Sequence, residues 1–359
     1  MNIFSKCFKN KKVIVTGHTG FKGSWLSLWL ILNNAKVMGI SNNVPTNPSH
    51  FNSIKLHKKI THKKIDIRNI KQVKKIFKSF KPDFVFHLAA QSLVNKSYKN
   101  PIETWQTNTI GTVNVLEALR NLKNSCVAVI ITSDKCYKNL EITRGYKEND
   151  LLGGKDPYSA SKASAELAIH SFVKSFYLSK KKNLKIGIAR AGNVIGGGDW
   201  SDNRIVPDCM KAWSKSKSVN IRNPNSTRPW QHVLEALSGY LILAINLKNK
   251  KNLNGEAFNF GPSNNVEKKV KTLIQEMEKN LGKINIKNIK SNKYFESKLL
   301  KLNSNKAEKF LKWKCILSFS KTIKMTTLWY KNYYQKKEDF HKFSKNQILE
   351  YERELLRKN

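Results

Sequence analysis

Paired cysteines, acidic side chains and long apolar runs are all scarce in this chain of 359 residues. The five cysteines, Cys7, Cys126, Cys136, Cys209 and Cys315, are odd in number, scattered and never in a C-x-x-C pair. That excludes a disulfide framework, points to a reducing compartment and leaves zinc without a ligand set. His57 and His62 have no carboxylate or cysteine at ligand spacing, so they read as exposed loop histidines and no metal is expected. The longest apolar run, Trp25 to Leu32, falls far short of the roughly 20 residues that span a bilayer. Met1 to Lys12 is polar and basic with no apolar signal core. A soluble, cytoplasmic protein with no membrane partner is expected. No G-x-S-x-G turn is present, which removes one hydrolase class, and His87 at a strand end is expected to pack.

Asp and Glu number only 25 against 66 Lys and Arg, a formal charge of +41. Such an excess ordinarily suggests nucleic acid or an anionic membrane. Here the lysines spread over the whole chain together with many Asn and Ile, as a general surface bias would place them. No nucleic-acid partner is expected, although the charge can concentrate an anionic substrate.

What is present is alternation. Val13–Thr16, Lys36–Ile40, Phe84–Leu88 and Val127–Thr132 read as buried parallel strands, with Lys185–Ala189 a later one. Gly23–Asn33, Ile70–Phe80, Pro101–Asn121 and Pro157–Ser179 read as the intervening helices, two of them opened by a first-turn proline. The fold class is α/β, a doubly wound parallel sheet. After about Ala191 the alternation gives way to loops, shorter elements and a helical region from about Leu317. We therefore expect a dinucleotide-binding domain over 1–190. A smaller substrate-binding lobe over 191–359 follows, with segments returning to the main sheet.

Gly17-His-Thr-Gly20-Phe-Lys-Gly23 directly follows the first strand and opens the first helix. Glycines allow a tight turn and close backbone approach, and a helix N-terminus offers free N–H groups to a pyrophosphate. Gly17, Thr19, Gly20, Phe21 and Gly23 are thus candidate cofactor contacts. Ser41 stands where an acid usually grips the adenosine ribose and no arginine adjoins it, which favours NAD over NADP. Asp66 and Ile67 follow a third strand, where the carboxylate can accept from the adenine amino group or simply be solvated. Leu88, Ala89 and Ala90 follow the fourth, and the two alanines leave room for the cofactor.

Thr132-Ser-Asp-Lys-Cys-Tyr137 closes the fifth strand, at the carboxyl edge where ligands of such sheets bind. Ser133 is a candidate partner for a substrate hydroxyl, Asp134 a candidate acid and Lys135 a potential base. Tyr158 and Lys162 stand four apart, on one face of a helix. A nearby cation lowers a tyrosine pKa by about 1–3 from roughly 10, which suits the phenol to take an alcohol proton.

The glycine turn, the end of the fifth strand and the Tyr158/Lys162 pair together resemble the extended short-chain dehydrogenase/reductase family. Longer blocks (Gly17 to Trp25, His87 to Gln91, Thr132 to Tyr137, Ala189 to Trp200 and Arg228 to Val233) resemble the branch that dehydrates CDP-glucose, over roughly Lys11 to Pro262. The resemblance implies a hydro-lyase of deoxysugar biosynthesis that uses NAD with no net redox change. Tyr158, with Lys162, removes the C4 hydroxyl proton as hydride leaves C4. Water is lost across C5 and C6, and hydride returns to C6. Lys135 stands where related dehydratases carry Glu, as base at C5 or as a stabiliser of the enolate. The second lobe is expected to hold CDP. Asn193 would lie near the nicotinamide or sugar, Arg204, Arg222 and Arg228 near the diphosphate, and Trp230 and His232 around the pocket. Trp25 and Trp29 are expected in the core. The family pairs through helices, which implies a homodimer or a tetramer built on it. A 4-epimerase, a dehydratase of another nucleotide sugar, and a nucleic-acid binder on an inactive scaffold are the alternative readings.

Overall fold

The computed structural model describes residues 2–178, 184–221, 223–262, 267–288, 300–336 and 339–358. Seven parallel strands form the main sheet: β1 (Lys12–Thr16), β2 (Lys36–Ser41), β3 (Thr61–Lys64), β4 (Phe84–His87), β5 (Cys126–Ile131), β6 (Leu184–Ala191) and β7 (Ala257–Phe260). Their order across the sheet is β7-β6-β5-β4-β1-β2-β3. The winding reverses between β1 and β4, so the crevice at their carboxyl ends is the expected ligand position. Every residue of β4 and β5 is buried, as continuous apolar runs covered on both faces require. Edge strand β3 is exposed throughout, and its His and two Lys discourage pairing with another sheet.

The helices follow local signals. Helix α1 (Phe21–Leu32) starts at Gly20, and α2 (Ile70–Phe80) is capped by Asn69, whose side chain accepts from Gln72 N–H. The stretch Pro101–Arg120 is one helical run with a widened turn at Gln106–Ile110; its last part is α3 (Gly111–Arg120). Helix α4 (Pro157–Phe172) opens on a capping box between Asp156 and Ser159, with Pro157 in its first turn. That box fixes where α4 begins, and hence where Tyr158 and Lys162 sit.

After β6 come short two-stranded pairings, Val194–Ile195 with Gln231–His232 and Thr227–Pro229 with Glu267–Lys269, around α5 (Val233–Asn249). Strand β7 then joins the main sheet beside β6. Helix α7 (Phe340–Lys358) folds back over α1, with α6 (Phe319–Gln335) packed beside it. Glu352 accepts from Trp29 Nε1 at 2.6 Å and from Asn33 Nδ2 at 3.2 Å, and Tyr351 packs edge-on against Trp29. Trp25 and Trp29 are both fully buried. Among the described residues one apolar core runs from Phe4 to Leu355, so the C-terminal helices stabilise the helix that carries the glycine turn.

Candidate active site

The glycine turn lies across the end of β4. Gly17 has φ +73°, its N–H donates to Ile40 O at 2.7 Å, and a Cβ there would fall 2.7 Å from Ala89 N. A Cβ on Gly23 would fall 2.1 Å from Gly17 O. Leu88 N–H donates to Thr16 O at 3.1 Å, and Ala89 N–H to Thr16 Oγ1 at 3.2 Å, so turn and strand end form one floor. His87 is buried between Thr16 and Thr112 and serves packing. The first turn of α1 holds no acid, and its leading N–H groups have no intrahelical acceptor. This floor fits a dinucleotide pyrophosphate, which would take those amides and the helix-end charge.

At the adenosine end, Thr19 Oγ1 pairs with Ser41 Oγ at 2.7 Å and donates to Asn43 O at 2.6 Å. Asp66 accepts from Arg68 through both oxygens, which holds its carboxyl below the usual range. Ile67 is buried against Gly111, where a Cβ would sit 2.5 Å from Ile67 Cδ1. The reading of His62 as a loop residue needs correction. It lies on β3, and its Nδ1 is 2.7 Å from His18 Nε2 in the glycine turn. Burial lowers His18 to about 4, so the pair is neutral near pH 7.

At the chemical end, Ser133 caps the short turn Asp134–Cys136: its Oγ accepts from Lys135 N–H at 3.2 Å and donates to Asp134 Oδ1 at 2.8 Å. Tyr158 and Lys162 are both buried beside it. The expected lowering of Tyr158 by Lys162 does not hold. Burial pushes the phenol up to about 12, against the downward pull of a Ser133 hydrogen bond and of Arg204. Lys162 is itself buried and lowered to about 8, with Nζ 3.4 Å from Ile131 O. Desolvation is the largest influence on each and sets the direction of both shifts.

Asp134, the candidate acid, is shifted in the direction that a proton donor needs. Burial raises its carboxyl, although Lys135, Ser133 and Lys22 each oppose the rise. A Cβ on Gly192 would lie 3.1 Å from Asp134 Oδ2. Asp134 and Gly192 line a narrow pocket with Pro229, Gln231 and Gly261, so the Arg228–His232 block meets the end of β5 there. Gln231 is buried, and its side-chain oxygen has no hydrogen-bond partner among the described residues.

The other candidates are placed as follows. Arg204 pairs with buried Asp199 at 2.8 Å and interacts electrostatically with Tyr158. Tyr330 of α6 donates its hydroxyl to Asp199 O, and Trp25 Nε1 donates to Gly197 O at 2.9 Å. The loop before Arg204 is thus held from both α1 and α6. Arg228 is partly buried on its strand, with Nη1 donating to Thr227 O at 2.8 Å. Trp230 is buried and donates to Lys268 O at 2.9 Å. His232 is buried, lowered to about 3 by that burial, and caps α5 by accepting from Leu234 N–H. Asn193 is exposed in the turn after β6, and Phe21 lies beside Gly196. Arg222 lies outside the described residues.

Lys22 was not anticipated. Its Nζ lies 3.5 Å from Tyr240 Oη, and burial lowers it to about 8 among Arg204, Asp134, Lys162 and Asp199. A lone cation between Gly20 and Gly23, shortly before the run Trp25–Leu32, was the available signal.

Residues 14–326 match the family model described as GDP-mannose 4,6 dehydratase. Over 348 residues the chain is 42% identical to the CDP-glucose 4,6-dehydratase of Salmonella typhimurium (strain LT2), covering 96% of this chain and 97% of that protein. The fold is similar to that of the UDP-glucuronic acid 4-epimerase from Bacillus cereus, solved with UDP-glucuronic acid and NAD. The TM-score is 0.78 at 25% identity, covering 90% of this chain and 99% of that one. It is also similar in fold to the dTDP-glucose 4,6-dehydratase of Bacillus anthracis in complex with NAD, with a TM-score of 0.74 at 23% identity over 90% of this chain and 97% of that one. Matched over most of its length and carrying the glycine floor, the Ser133–Asp134 turn and the Tyr158/Lys162 helix, the chain belongs to the GDP-mannose 4,6 dehydratase family.

Proposed function

We propose that this protein is an NAD-dependent hydro-lyase that converts CDP-D-glucose to CDP-4-dehydro-6-deoxy-D-glucose. The observation that carries the reading is Asp134: a carboxyl made more basic by burial, one residue from Ser133, which bonds the Tyr158 phenol. An epimerase has no use for an acid there. The 42% identity to a CDP-glucose 4,6-dehydratase supports the nucleotide.

Gly17, Thr19, Gly20, Phe21 and Gly23 hold the cofactor's pyrophosphate end, with Asp66, Ile67 and Leu88–Ala90 around its adenosine and the floor. NAD, when bound, supplies the carrier that takes hydride from C4 and returns it at C6. Ser133 orients the C4 hydroxyl and Tyr158 takes its proton as the phenolate, which burial disfavours in the cofactor-free protein and which the Lys162 ammonium and the positive charge of a bound nicotinamide would favour. Asp134 gives its proton to the C6 hydroxyl, which leaves as water. Lys135 takes the C5 proton as the C6 hydroxyl leaves and returns it to C5 when hydride reaches C6. Asn193, Arg204, Arg228, Trp230 and His232 form the sugar-nucleotide side, so that 1–190 binds NAD and 191–359 binds CDP. Exposed Ile102, Trp105 and Ile110 on the run before α3, with Leu167 on α4, support a homodimer through these helices. A cytoplasmic location accords with the absence, among the described residues, of any helix able to cross a membrane.

The test is incubation with CDP-, dTDP-, GDP- and UDP-glucose, following the alkali absorbance of the 4-keto product. Keto sugar from CDP-glucose above the others is expected. Faster reaction with another nucleotide would reassign the substrate, and simple C4 inversion would make the protein an epimerase.

A further inference from the structure

One buried ion pair outside the substrate and cofactor contacts touches the catalytic turn at both ends. Glu166 stands one helical turn beyond Lys162 on α4, and Arg190 stands near the end of β6. Their side chains are 0% and 1% exposed. Arg190 Nε donates to the two Glu166 oxygens at 2.8 and 2.9 Å, and Nη2 donates to the second of them. Glu166 Oε1 also accepts from Thr132 Oγ1 at 2.6 Å. Arg190 Nη1 donates to Tyr137 Oη at 2.6 Å and to Glu148 O at 2.9 Å, with its guanidinium 4.8 Å over the Tyr137 ring. Tyr137 donates onward to Asn259 Oδ1 on β7 at 2.8 Å.

The carboxylate thus pins residue 132 and the guanidinium pins residue 137. Between the pins lie Ser133, Asp134 and Lys135. The carboxylate belongs to the helix that bears Tyr158 and Lys162. Stability alone is a poor explanation for such a pair. Desolvating two charges is costly, and well-packed apolar replacements are often neutral or stabilising. Orientation is the better explanation, since an acid misplaced by about 1 Å can cost about 10²-fold in rate.

We propose that Glu166 and Arg190 are positioning residues of the elimination step, clamping the Asp134 turn to the helix that carries Tyr158 and Lys162. The inference rests on the dehydratase reading above. With the clamp lost, Tyr158 and Lys162 stay on an intact helix, whereas the turn carrying Asp134 and Lys135 shifts against it. Elimination therefore suffers more than oxidation at C4.

The experiment compares the parent with Thr132→Val and Tyr137→Phe, which each remove one pin without leaving a buried charge. A third protein, the double variant Glu166→Leu/Arg190→Met, removes the pair as a unit. Single turnovers on CDP-glucose resolve the transient NADH absorbance from keto-sugar release. Thermal midpoints and mass-resolved thiol labelling of Cys136, fully buried inside the turn, are measured alongside. The double variant is expected to unfold cooperatively like the parent and to oxidise C4 within tenfold of it. Its elimination slows about 10²-fold, and Cys136 labels faster. The single variants fall between the two. Elimination at the parental rate in the double variant, or equal slowing of both steps, would overturn the clamp. Failure of the double variant to fold, with both single variants eliminating at the parental rate, would overturn it equally. A parent that makes no keto sugar from any nucleotide would instead overturn the dehydratase reading, and the clamp with it.

Discussion

Glu235 should make the protein measurably less stable as pH rises through neutrality. It sits fully buried on α5, where Oε1 accepts from the N–H groups of Ile316 and Leu317 at 2.8 and 2.6 Å. Its other oxygen accepts from Tyr351 Oη at 2.7 Å. Burial outweighs these bonds and raises the carboxyl from its ordinary 4.5 to about 7. Between those values the folded protein holds a proton that the unfolded chain releases. The associated stability is therefore complete below pH 4.5 and is lost as pH rises through 7. The interval corresponds to about 3 kcal/mol. Glu235→Gln keeps the shape, the acceptor for both amides and a partner for Tyr351, but removes the titration. Urea unfolding of parent and variant at pH 4.5, 6 and 8 measures the difference directly. The variant should gain about 3 kcal/mol on the parent between the lowest and highest pH. A constant difference across that range would show that the carboxyl titrates normally and that the burial argument fails.

Other consequences are as specific. Gly17→Ala forces an alanine to φ +73° with its methyl group 2.7 Å from backbone at Ala89; a loss of about 1–2 kcal/mol and a large drop in NAD affinity by calorimetry are expected, and unchanged affinity would contradict the floor. Lys135→Met should slow elimination more than C4 oxidation in single turnovers, and equal slowing would remove its separate role. Burial holds His50, His87 and His232 at about 3, so the unfolded chain binds their protons first as pH falls below 6.5. Each should lower stability by about 1.4 kcal/mol per pH unit in that range, and a flat stability between pH 6.5 and 5 would refute neutral burial.

Strands β1, β2, β4, β5 and β6 were legible because buried parallel strands are apolar nearly throughout, whereas exposed β3 and the returning β7 were not located by range; the glycine turn was legible because Gly17 and Gly23 meet backbone where no side chain fits. Helix α2 was legible to the residue, since Asn69 caps its start and Lys81 ends it in a left-handed conformation. Tyr158 and Lys162 were legible as a pair, but their ionisation was not. Their spacing gives proximity, whereas the direction of the shift depends on burial contributed by distant segments. Lys22, the His18–His62 contact and the Glu166–Arg190 pair share that property. Glu166 and Arg190 lie 24 residues apart and His18 and His62 lie 44 apart, and only the closed sheet brings them together. The widened turn at Gln106–Ile110 left no mark in a run that reads as one helix.

Proton removal at C4 by the Tyr158 oxygen is the step on which the proposed activity depends. Tyr158→Phe, assayed for keto sugar from CDP-glucose with NAD binding followed separately by calorimetry, isolates it. Turnover should fall by about 10²–10⁴-fold while the cofactor still binds as in the parent. Turnover within tenfold of the parent would contradict the assignment.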